Sequence, residues 1–192
     1  YPRETLNIDM SKYPFTVYFH GSFIPLQGVD CIIKAAKLLE KEDIQFNILG
    51  NGQTYSEIRK LVDGLKLKNL NFINRVEYDK LPEHINKSDI CLGIFGNTEK
   101  AKRVIPNKVY ECAAMKKPII TADTPAIREL FNEKDMVLIK PDPENLVSAI
   151  INLKNNPSLR NNISENAYTK VKNFASPEIL GRELKDVIKQ LL

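Results

Sequence analysis

The chain has 192 residues, of which 43% are hydrophobic and 27% are charged, and its formal net charge is +4. These values are typical of a soluble globular protein, and the mild, dispersed positive charge argues against a nucleic-acid-binding protein. No apolar run is long enough to cross a bilayer, and no segment resembles a secretory signal, so we expect a cytoplasmic location. Because the chain begins with Tyr1 rather than Met, we expect it to be part of a longer protein.

The cysteines and histidines argue against a metal site. Three cysteines (Cys31, Cys91 and Cys112) are far apart in apolar patterns, and the two histidines are His20 and His84. Without a Cys-x-x-Cys pair, neither zinc nor another metal or cofactor is expected. Scattered buried thiols indicate a reducing compartment. We predict a structural role for both histidines.

Short apolar runs alternate with helical patterns along most of the chain. In chain order, the first predicted elements are a strand at Phe15–Phe19, a helix over 29–39, a strand at Gln45–Leu49, a helix over 58–65, a strand at Asn71–Ile73, a helix at Leu81–Ile85 and a strand at Ile90–Ile94. After a polar loop over Gly96–Ile105 come a helix from Pro106 to about Met115, a strand at Pro118–Ala122, a helix at Ala126–Phe131 and a strand at Met136–Ile139. Three helices follow, near Glu144–Lys154, Ser158–Phe174 and Pro177–Leu192.

Alternation of strand and helix indicates parallel strands joined by right-handed crossovers. The strands are apolar throughout, which is typical of a sheet covered on both faces. We therefore predict an α/β fold, a Rossmann-like doubly wound parallel six-stranded sheet with C-terminal helices. Ligands of such folds bind beyond the carboxyl ends of the strands. This directs attention to the loops over 20–28, 50–55, 74–77 and 95–106.

The segment Lys100–Met115 carries the strongest indication of a ligand. Pro106 suits the first position of a helix, so the free amides near Ile105, Asn107 and Lys108 are expected at a helix amino end that attracts phosphate. Arg103 and Lys108 add full positive charges that an anion would balance. Glu111 shares the helix face of Asn107 and Lys108 and suits the two hydroxyl groups of a ribose. A plain surface ion pair between Lys108 and Glu111 is the alternative.

Two glycine-containing loops are weaker candidates. In HGSFIPLQG, Gly21 allows a close approach to a ligand, and Ser22 and Gln27 are possible donors to phosphate, but a plain strand-to-helix connection explains the loop equally well. Gly50-Asn51-Gly52 does not complete a dinucleotide fingerprint, since its sixth position is Tyr55, and is interpreted as a turn.

Beyond the third strand, Arg75, Val76 and Tyr78 are candidates to border a nucleotide base. They are equally well explained as ordinary surface residues.

Three segments together resemble the C-terminal domain of glycosyltransferase family 4, a GT-B enzyme class. They are FHGSFIPLQGVDCIIKAAKLL, FNILGNG and RVIPNKVYECAAMKKPIITADTPAIREL, in the family's order. The resemblance implies one half of a GT-B architecture, with a domain over 15–175 that binds a UDP- or GDP-linked sugar. Residues 1–14 would be a linker, and 176–192 a helix that packs toward a missing N-terminal acceptor domain.

The resemblance also implies a retaining, metal-independent sugar transfer to a glycan or lipid-linked acceptor, with that acceptor in some cases at the membrane surface. Glu111 matches the second of the family's paired glutamates, while Arg103 occupies the position of the first. Ser22 and Gln27 occupy the positions of the usual basic residues on the diphosphate. We hypothesise that Arg103 and Lys108 supply that charge instead. We expect the isolated chain to bind nucleotide without turnover, and its uncovered apolar surface is compatible with a homodimer.

Two other classes remain open. One is a GT-B sugar-nucleotide epimerase, which needs a catalytic acid and base that the sequence does not identify. The other is a non-catalytic regulatory module whose donor site has degenerated, as the replaced glutamate and basic residues would allow. Binding of a nucleoside diphosphate separates this module from both enzymes.

Overall fold

The computed structural model describes residues 14–191. Its strands are β1 (Phe15–His20), β2 (Ile44–Leu49), β3 (Leu70–Ile73), β4 (Ile90–Leu92), β5 (Ile119–Ala122) and β6 (Val137–Ile139). Its helices are α1 (Val29–Leu38), α2 (Tyr55–Leu65), α3 (Leu81–Asn86), α4 (Asn107–Ala114), α5 (Pro125–Arg128), α6 (Pro143–Asn155), α7 (Pro157–Phe174) and α8 (Pro177–Leu191). Short 3-10 turns lie at Pro25–Gln27, Tyr78–Lys80 and Ala101–Arg103. Almost all of the predicted linker over 1–14 lies outside the described residues.

The described strands form one parallel sheet in the order β3-β2-β1-β4-β5-β6. The predicted α/β fold with a doubly wound six-stranded sheet is therefore confirmed. The strand order reverses between β1 and β4, which pair through Val17 with Ile90 and Tyr18 with Cys91. Loops that leave two such strands diverge to opposite sides of the sheet, and the gap between them is where ligands of this architecture bind.

Successive residues of β1 enter two separate cores. Val17 and Phe19 are fully buried among side chains of α1, α2 and α6. Tyr18 is buried on the opposite face, in a cluster with side chains of α3, α4 and α7. This alternation follows from the two-residue period of a strand, and it explains why β1 has no polar face.

Two predicted boundaries beside the switch in strand order were wrong. β4 ends at Leu92 rather than Ile94, because the chain turns toward the loop after β1 and donates the backbone N–H groups of Phe95 and Gly96 to that loop. Pro106 is not the first residue of α4 but the extended residue before it. Its carbonyl accepts the first helical hydrogen bond, from the Val109 amide at 2.9 Å. A residue in this position donates a carbonyl to the helix without adopting its backbone angles.

The last helix, α8, presents an apolar stripe to the outside. None of its described residues is buried, and five large apolar side chains are about half exposed or more. They are Leu180, Leu184, Val187, Ile188 and Leu191. That α8 packs toward a further domain stays a prediction. Within residues 14–191, no helix combines the length and apolar character needed to cross a membrane.

Candidate functional site

The loops that leave β1 and β4 are joined backbone to backbone. The Phe95 amide donates to the Gln27 carbonyl at 3.0 Å, and the Gly96 amide donates to the Leu26 carbonyl at 3.2 Å. Gly28 makes this approach possible, since it adopts the left-handed conformation (φ 62°) and a Cβ there would lie 2.3 Å from the Phe95 carbonyl carbon. The predicted plain connection between β1 and α1 thus contains a 3-10 turn that ties the two sides of the strand-order switch together.

Lys108, on the first turn of α4, reaches into the gap between β1 and β4. Its Nζ donates to the Gln27 side-chain oxygen and, at 3.4 Å, to the Gly93 carbonyl. The same atom lies 3.6 Å from the centre of the Phe19 ring. A Cβ on Gly21 would lie only 2.9 Å from it, so this glycine leaves room for the ammonium group. Two segments distant in sequence, residues 19–27 and Gly93, therefore converge on the Lys108 ammonium group.

The Lys108 ammonium is buried without an anion beside it. The residue is 5% exposed, and none of the described carboxylates lies within ion-pair distance. Removal from water lowers the pKa of Lys108 well below its usual value of 10.5. Neutral acceptors and an aromatic face only partly replace the lost hydration. Among residues 14–191, the Lys108 ammonium therefore has no ion-pair partner at the strand-order switch.

Glu111 lies one turn further along α4, and each of its carboxylate oxygens has a partner. His20 Nε2 lies 2.7 Å from Oε2, and the Tyr78 hydroxyl donates to Oε1 at 3.1 Å. The side chains of His20 and Glu111 are only 8% and 15% exposed. The alternative of a surface ion pair between Lys108 and Glu111 is wrong, because the fold turns the lysine into the β1–β4 gap and the glutamate toward His20.

The hydrogen bonds around Glu111 favour its ionised form. Burial alone would raise the pKa of Glu111, but the hydrogen bonds from His20 and the Tyr78 hydroxyl, together with the Lys108 charge, lower it below 4.5. Burial lowers the pKa of His20 below 6.5, although its hydrogen bond to Glu111 acts in the opposite direction. Since an ionised carboxylate only accepts hydrogen bonds, the Nε2 atom of a neutral His20 carries the hydrogen.

Replacement of Glu111 by glutamine should make the folding stability less dependent on pH in the acid range. A carboxylate whose folded-state pKa is lowered adds stability above its unfolded pKa, near 4.5, and loses it as the pH falls through the folded value. We expect Glu111→Gln to cost about 1 kcal/mol at pH 7 and progressively less as the pH falls below 4.5. Urea unfolding of both proteins between pH 3 and 7 measures this difference. A difference in unfolding free energy that stays constant over that range would contradict the lowered pKa of Glu111.

A cleft of about 550 Å³ opens above the carboxyl ends of β1 and β2. Some of the residues that line this cleft were candidate site residues in the sequence and others were not. They are His20, Gly21, Ser22, Leu49, Gly50, Asn51, Gly52 and Arg75. Gly21, Ser22 and Arg75, which were predicted from separate loops, therefore share one cavity. Lys108 does not line this cleft, but its Nζ lies against Gly21, which does. Gly50 and Gly52 both have positive φ angles, and the hydrogen-bonded turn lies just after the predicted one, where the Tyr55 amide donates to the Gly52 carbonyl at 3.0 Å.

The other candidate site residues from the sequence differ in their position relative to Lys108 and Glu111. Gln27 is buried and contacts Lys108, as described above. Val76 and Ile105 are partly buried against the core cluster around Tyr18. Asn107 begins α4 and is exposed, and Arg103 is exposed in the 3-10 turn ahead of it. No hydrogen bond or ion pair joins Arg103 to Lys108 or Glu111.

Sequence reasoning did not include His20 among the site residues. The histidine was interpreted as structural because nothing near it in the sequence is a chemical partner, and Glu111 is 91 residues away. The sequence did contain one indication of a role for His20 in the site. This residue is the last of a strand and directly precedes Gly21. Tyr78 was considered beside the base, and the structure adds its hydrogen bond to Glu111.

The fold and the site together define a Rossmann-like domain of the GT-B type, with its cleft at the carboxyl edge of a doubly wound sheet. The chain belongs to the family of group 1 glycosyl transferases, whose model matches residues 7–170. The resemblance to the C-terminal domain of glycosyltransferase family 4 is thereby confirmed.

Three similar proteins illustrate the relationship. An uncharacterized glycosyltransferase of Methanocaldococcus jannaschii is 27% identical over 82% of this chain and 43% of its own length. The C-terminal domain of a group 1 glycosyl transferase from Francisella tularensis is 19% identical, with a TM-score of 0.74 over 87% of this chain and 90% of that one. An Anabaena protein in complex with UDP and glucose is 17% identical, with a TM-score of 0.79 over 93% and 51%. The chain spans less than half the length of the curated relatives it matches.

Proposed function

We propose that this chain is the donor-binding domain of a glycosyltransferase that uses a nucleoside diphosphate sugar. The transfer is retaining and metal-independent, and the acceptor is a glycan or a lipid-linked acceptor bound mainly by a further domain. The observation that carries the proposal is the buried Lys108 ammonium, which has no anionic partner among the described residues and lies at the strand-order switch. A diphosphate bound against Gly21 supplies that partner.

The phosphate-binding part of the proposed site combines a side chain with backbone. Lys108 contacts Gln27, the residue in the position where the resemblance implies a basic side chain, so the lysine delivers the missing charge to the same place from α4. The first amide groups of α4 lie beside it and have no partner within the helix. Positive charge already aimed at the leaving phosphate stabilises the transition state without rearrangement. This is why we propose that donor binding needs no metal ion.

The nucleoside part of the proposed site lies on the other side of Gly21. Glu111, held by His20 and Tyr78, is an acceptor for the ribose hydroxyl groups. Arg75 and Ser22 line the adjoining cleft, whose volume of about 550 Å³ suits a nucleoside. The UDP and glucose bound by the Anabaena protein support this class of ligand. Retention of configuration rests on the family resemblance.

Thermal unfolding in the presence of nucleotides tests this proposal. The chain is mixed with UDP, GDP, ADP or CDP, each with magnesium and with EDTA. At one hundred times the dissociation constant, a ligand adds about 2.7 kcal/mol of stability. We expect UDP or GDP to stabilise the chain equally in both media. A chain that none of the four nucleotides stabilises would contradict the proposal and favour a module that has lost donor binding.

Arg103→Ala should weaken binding of the stabilising nucleotide about five-fold, because Arg103 adds a long-range attraction from an exposed and hydrated position. Isothermal titration calorimetry at low salt measures the change. Lys100→Ala, which removes the same charge from the same exposed loop, is the matched control and is expected to have less than half that effect. Equal affinities for Arg103→Ala and the unmodified chain would refute the hypothesis that Arg103 supplies part of the charge of the family's usual basic residues on the diphosphate.

A further inference from the structure

The imidazole ring of His20 is held between an aromatic ring and a carboxylate. Its centre lies 5.4 Å from that of Tyr18 with 29° between the ring planes, and its Nε2 lies 2.7 Å from Glu111 Oε2. His84 stacks on the same tyrosine at 6.4 Å and 9° but makes no hydrogen bond with Glu111. Tyr18 and His20 are two residues apart on β1, so they project from the same face of the sheet. The ring of His20 therefore has little freedom to rotate away.

The contact between His20 and Glu111 joins the two structural elements that frame the cleft. His20 ends β1 and Glu111 lies on α4, and both side chains are largely removed from water. A charge-assisted hydrogen bond in such surroundings is stronger than one at the surface. It therefore fixes the carboxylate relative to the strand that leads into Gly21.

The two oxygens of Glu111 are not equivalent in this arrangement. Oε2 accepts the hydrogen bond from His20 on the buried side. Oε1 is met by Tyr78, a residue that is 62% exposed, and therefore marks the side of the carboxylate nearer the solvent. Without the contact to His20, the carboxylate would be free to turn out of the orientation in which Oε1 faces Tyr78 and the solvent.

We propose that His20 is a positioning residue of the nucleotide site, which holds Oε2 of Glu111 so that Oε1 is presented to the ribose hydroxyl groups of a nucleoside diphosphate. This inference rests on the proposed function. It assigns His20 an action through Glu111 alone and no contact with the phosphates. The effect of His20 is then confined to ligands that carry a ribose, whereas that of Lys108 extends to any diphosphate.

Two substitutions separate this role from simple packing. His20→Gln keeps an N–H donor at about the distance of Nε2 from the backbone, so it can restore the bond to Glu111. His20→Leu fills similar space and donates nothing. His84→Leu is the matched control, because it changes the other histidine that packs on Tyr18 and leaves Glu111 untouched. Circular dichroism and thermal unfolding establish that each variant is folded before binding is compared.

Calorimetric titration with UDP, GDP and inorganic pyrophosphate gives the test. We expect His20→Leu to weaken the binding of the preferred nucleotide about ten-fold, which corresponds to the loss of a hydrogen bond to a charged group. The affinities of His20→Gln and His84→Leu for the nucleotide are expected to lie within about two-fold of that of the unmodified chain. Changes of this size are usual for substitutions that leave a critical contact in place. Pyrophosphate is expected to bind all four proteins equally.

Three results would overturn the inference. If His20→Leu binds the nucleotide as tightly as the unmodified chain, His20 has no positioning role. If His20→Leu weakens the binding of pyrophosphate and of the nucleotide equally, the effect is general and does not act through Glu111. The same conclusion holds if His20→Gln is folded but does not restore the affinity for the nucleotide. An unmodified chain that binds none of UDP, GDP, ADP and CDP refutes the proposed function itself, which distinguishes that failure from the failure of His20 alone.

Discussion

Lys108→Met should weaken the binding of UDP and GDP about 100-fold. The substitution keeps the length and apolar stem of the side chain and removes only the ammonium group, which lies against Gly21 and Gln27 where the phosphates are proposed to bind. Loss of a charge-assisted hydrogen bond to phosphate accounts for an effect of this size. Calorimetric titration with UDP, GDP and pyrophosphate measures it, and pyrophosphate is expected to lose affinity by a similar factor.

The same substitution should leave the free energy of unfolding unchanged or raise it by about 1 kcal/mol, since a well-packed apolar group often replaces a buried charge at no cost. Because the pKa of Lys108 is lowered in the folded protein, folding is accompanied by proton release below pH 10.5. Any gain in stability from Lys108→Met is therefore largest near neutral pH and disappears as the pH approaches 10.5. Urea unfolding of both proteins at pH 7 and at pH 10 measures the gain in stability at each pH.

Lys102→Met is the matched control for this pair of effects. Lys102 is exposed five residues before Asn107, the first residue of α4, and it pairs with Glu99 on the surface. Loss of this charge should change nucleotide affinity less than two-fold and stability by less than about 0.5 kcal/mol. If Lys108→Met and Lys102→Met reduced nucleotide binding to the same small extent, the buried ammonium would not be the phosphate ligand, and the observation that supports the proposed function would fail.

Gly28→Ala should be the most destabilising of the substitutions considered, with a loss of at least about 3 kcal/mol. The residue has a φ of 62°, which is unfavourable for alanine, and the new Cβ would lie 2.3 to 2.6 Å from backbone atoms of Phe95 and Gly96. Relief of that overlap requires the loops after β1 and β4 to separate. The hydrogen bonds that join them, and with them the position of Gln27 beside Lys108, would then be lost.

Thermal and urea unfolding measure this loss, and Gly64→Ala provides a control of opposite sign. Gly64 lies within α2, and a Cβ there has no neighbour within 4 Å. Alanine in that position reduces the entropy of the unfolded chain and should stabilise the protein by about 0.5 kcal/mol. A Gly28→Ala protein as stable as the unmodified chain would show that the two loops do not meet as described.

The sheet was predictable because its determinants are local. Strands such as β1 and β2 are continuous apolar runs, and the helices between them carry apolar side chains at helical spacing, so a short window of sequence contains the whole signal. The predictions failed by one or two residues at Ile94 and Pro106, where the chain leaves an element. Those limits depend on hydrogen bonds to a distant loop or to the next helical turn, and a local pattern does not contain them.

The site was predictable only in part. The sequence by itself determined that a helix with Lys108 and Glu111 near its amino end follows a strand of a doubly wound sheet, and the resemblance of its motifs indicated a donor-binding domain. These features depend on neighbouring residues and on spacing. The sequence could not show that Lys108 is buried, since burial depends on what packs against it, and its neighbours Phe19, Gln27 and Gly93 come from other elements.

Only the tertiary structure decided the partners of each ionisable group. The strand-order switch brings the ends of β1 and β4 together. This directs Lys108 into a gap where no carboxylate of residues 14–191 lies within ion-pair distance, and it turns Glu111 toward His20. Charge interactions depend on distance and on exclusion of water, and both arise only when segments almost one hundred residues apart pack together. The chemistry of the individual residues could thus be read from the sequence, whereas their ionisation and their pairing are properties of the fold.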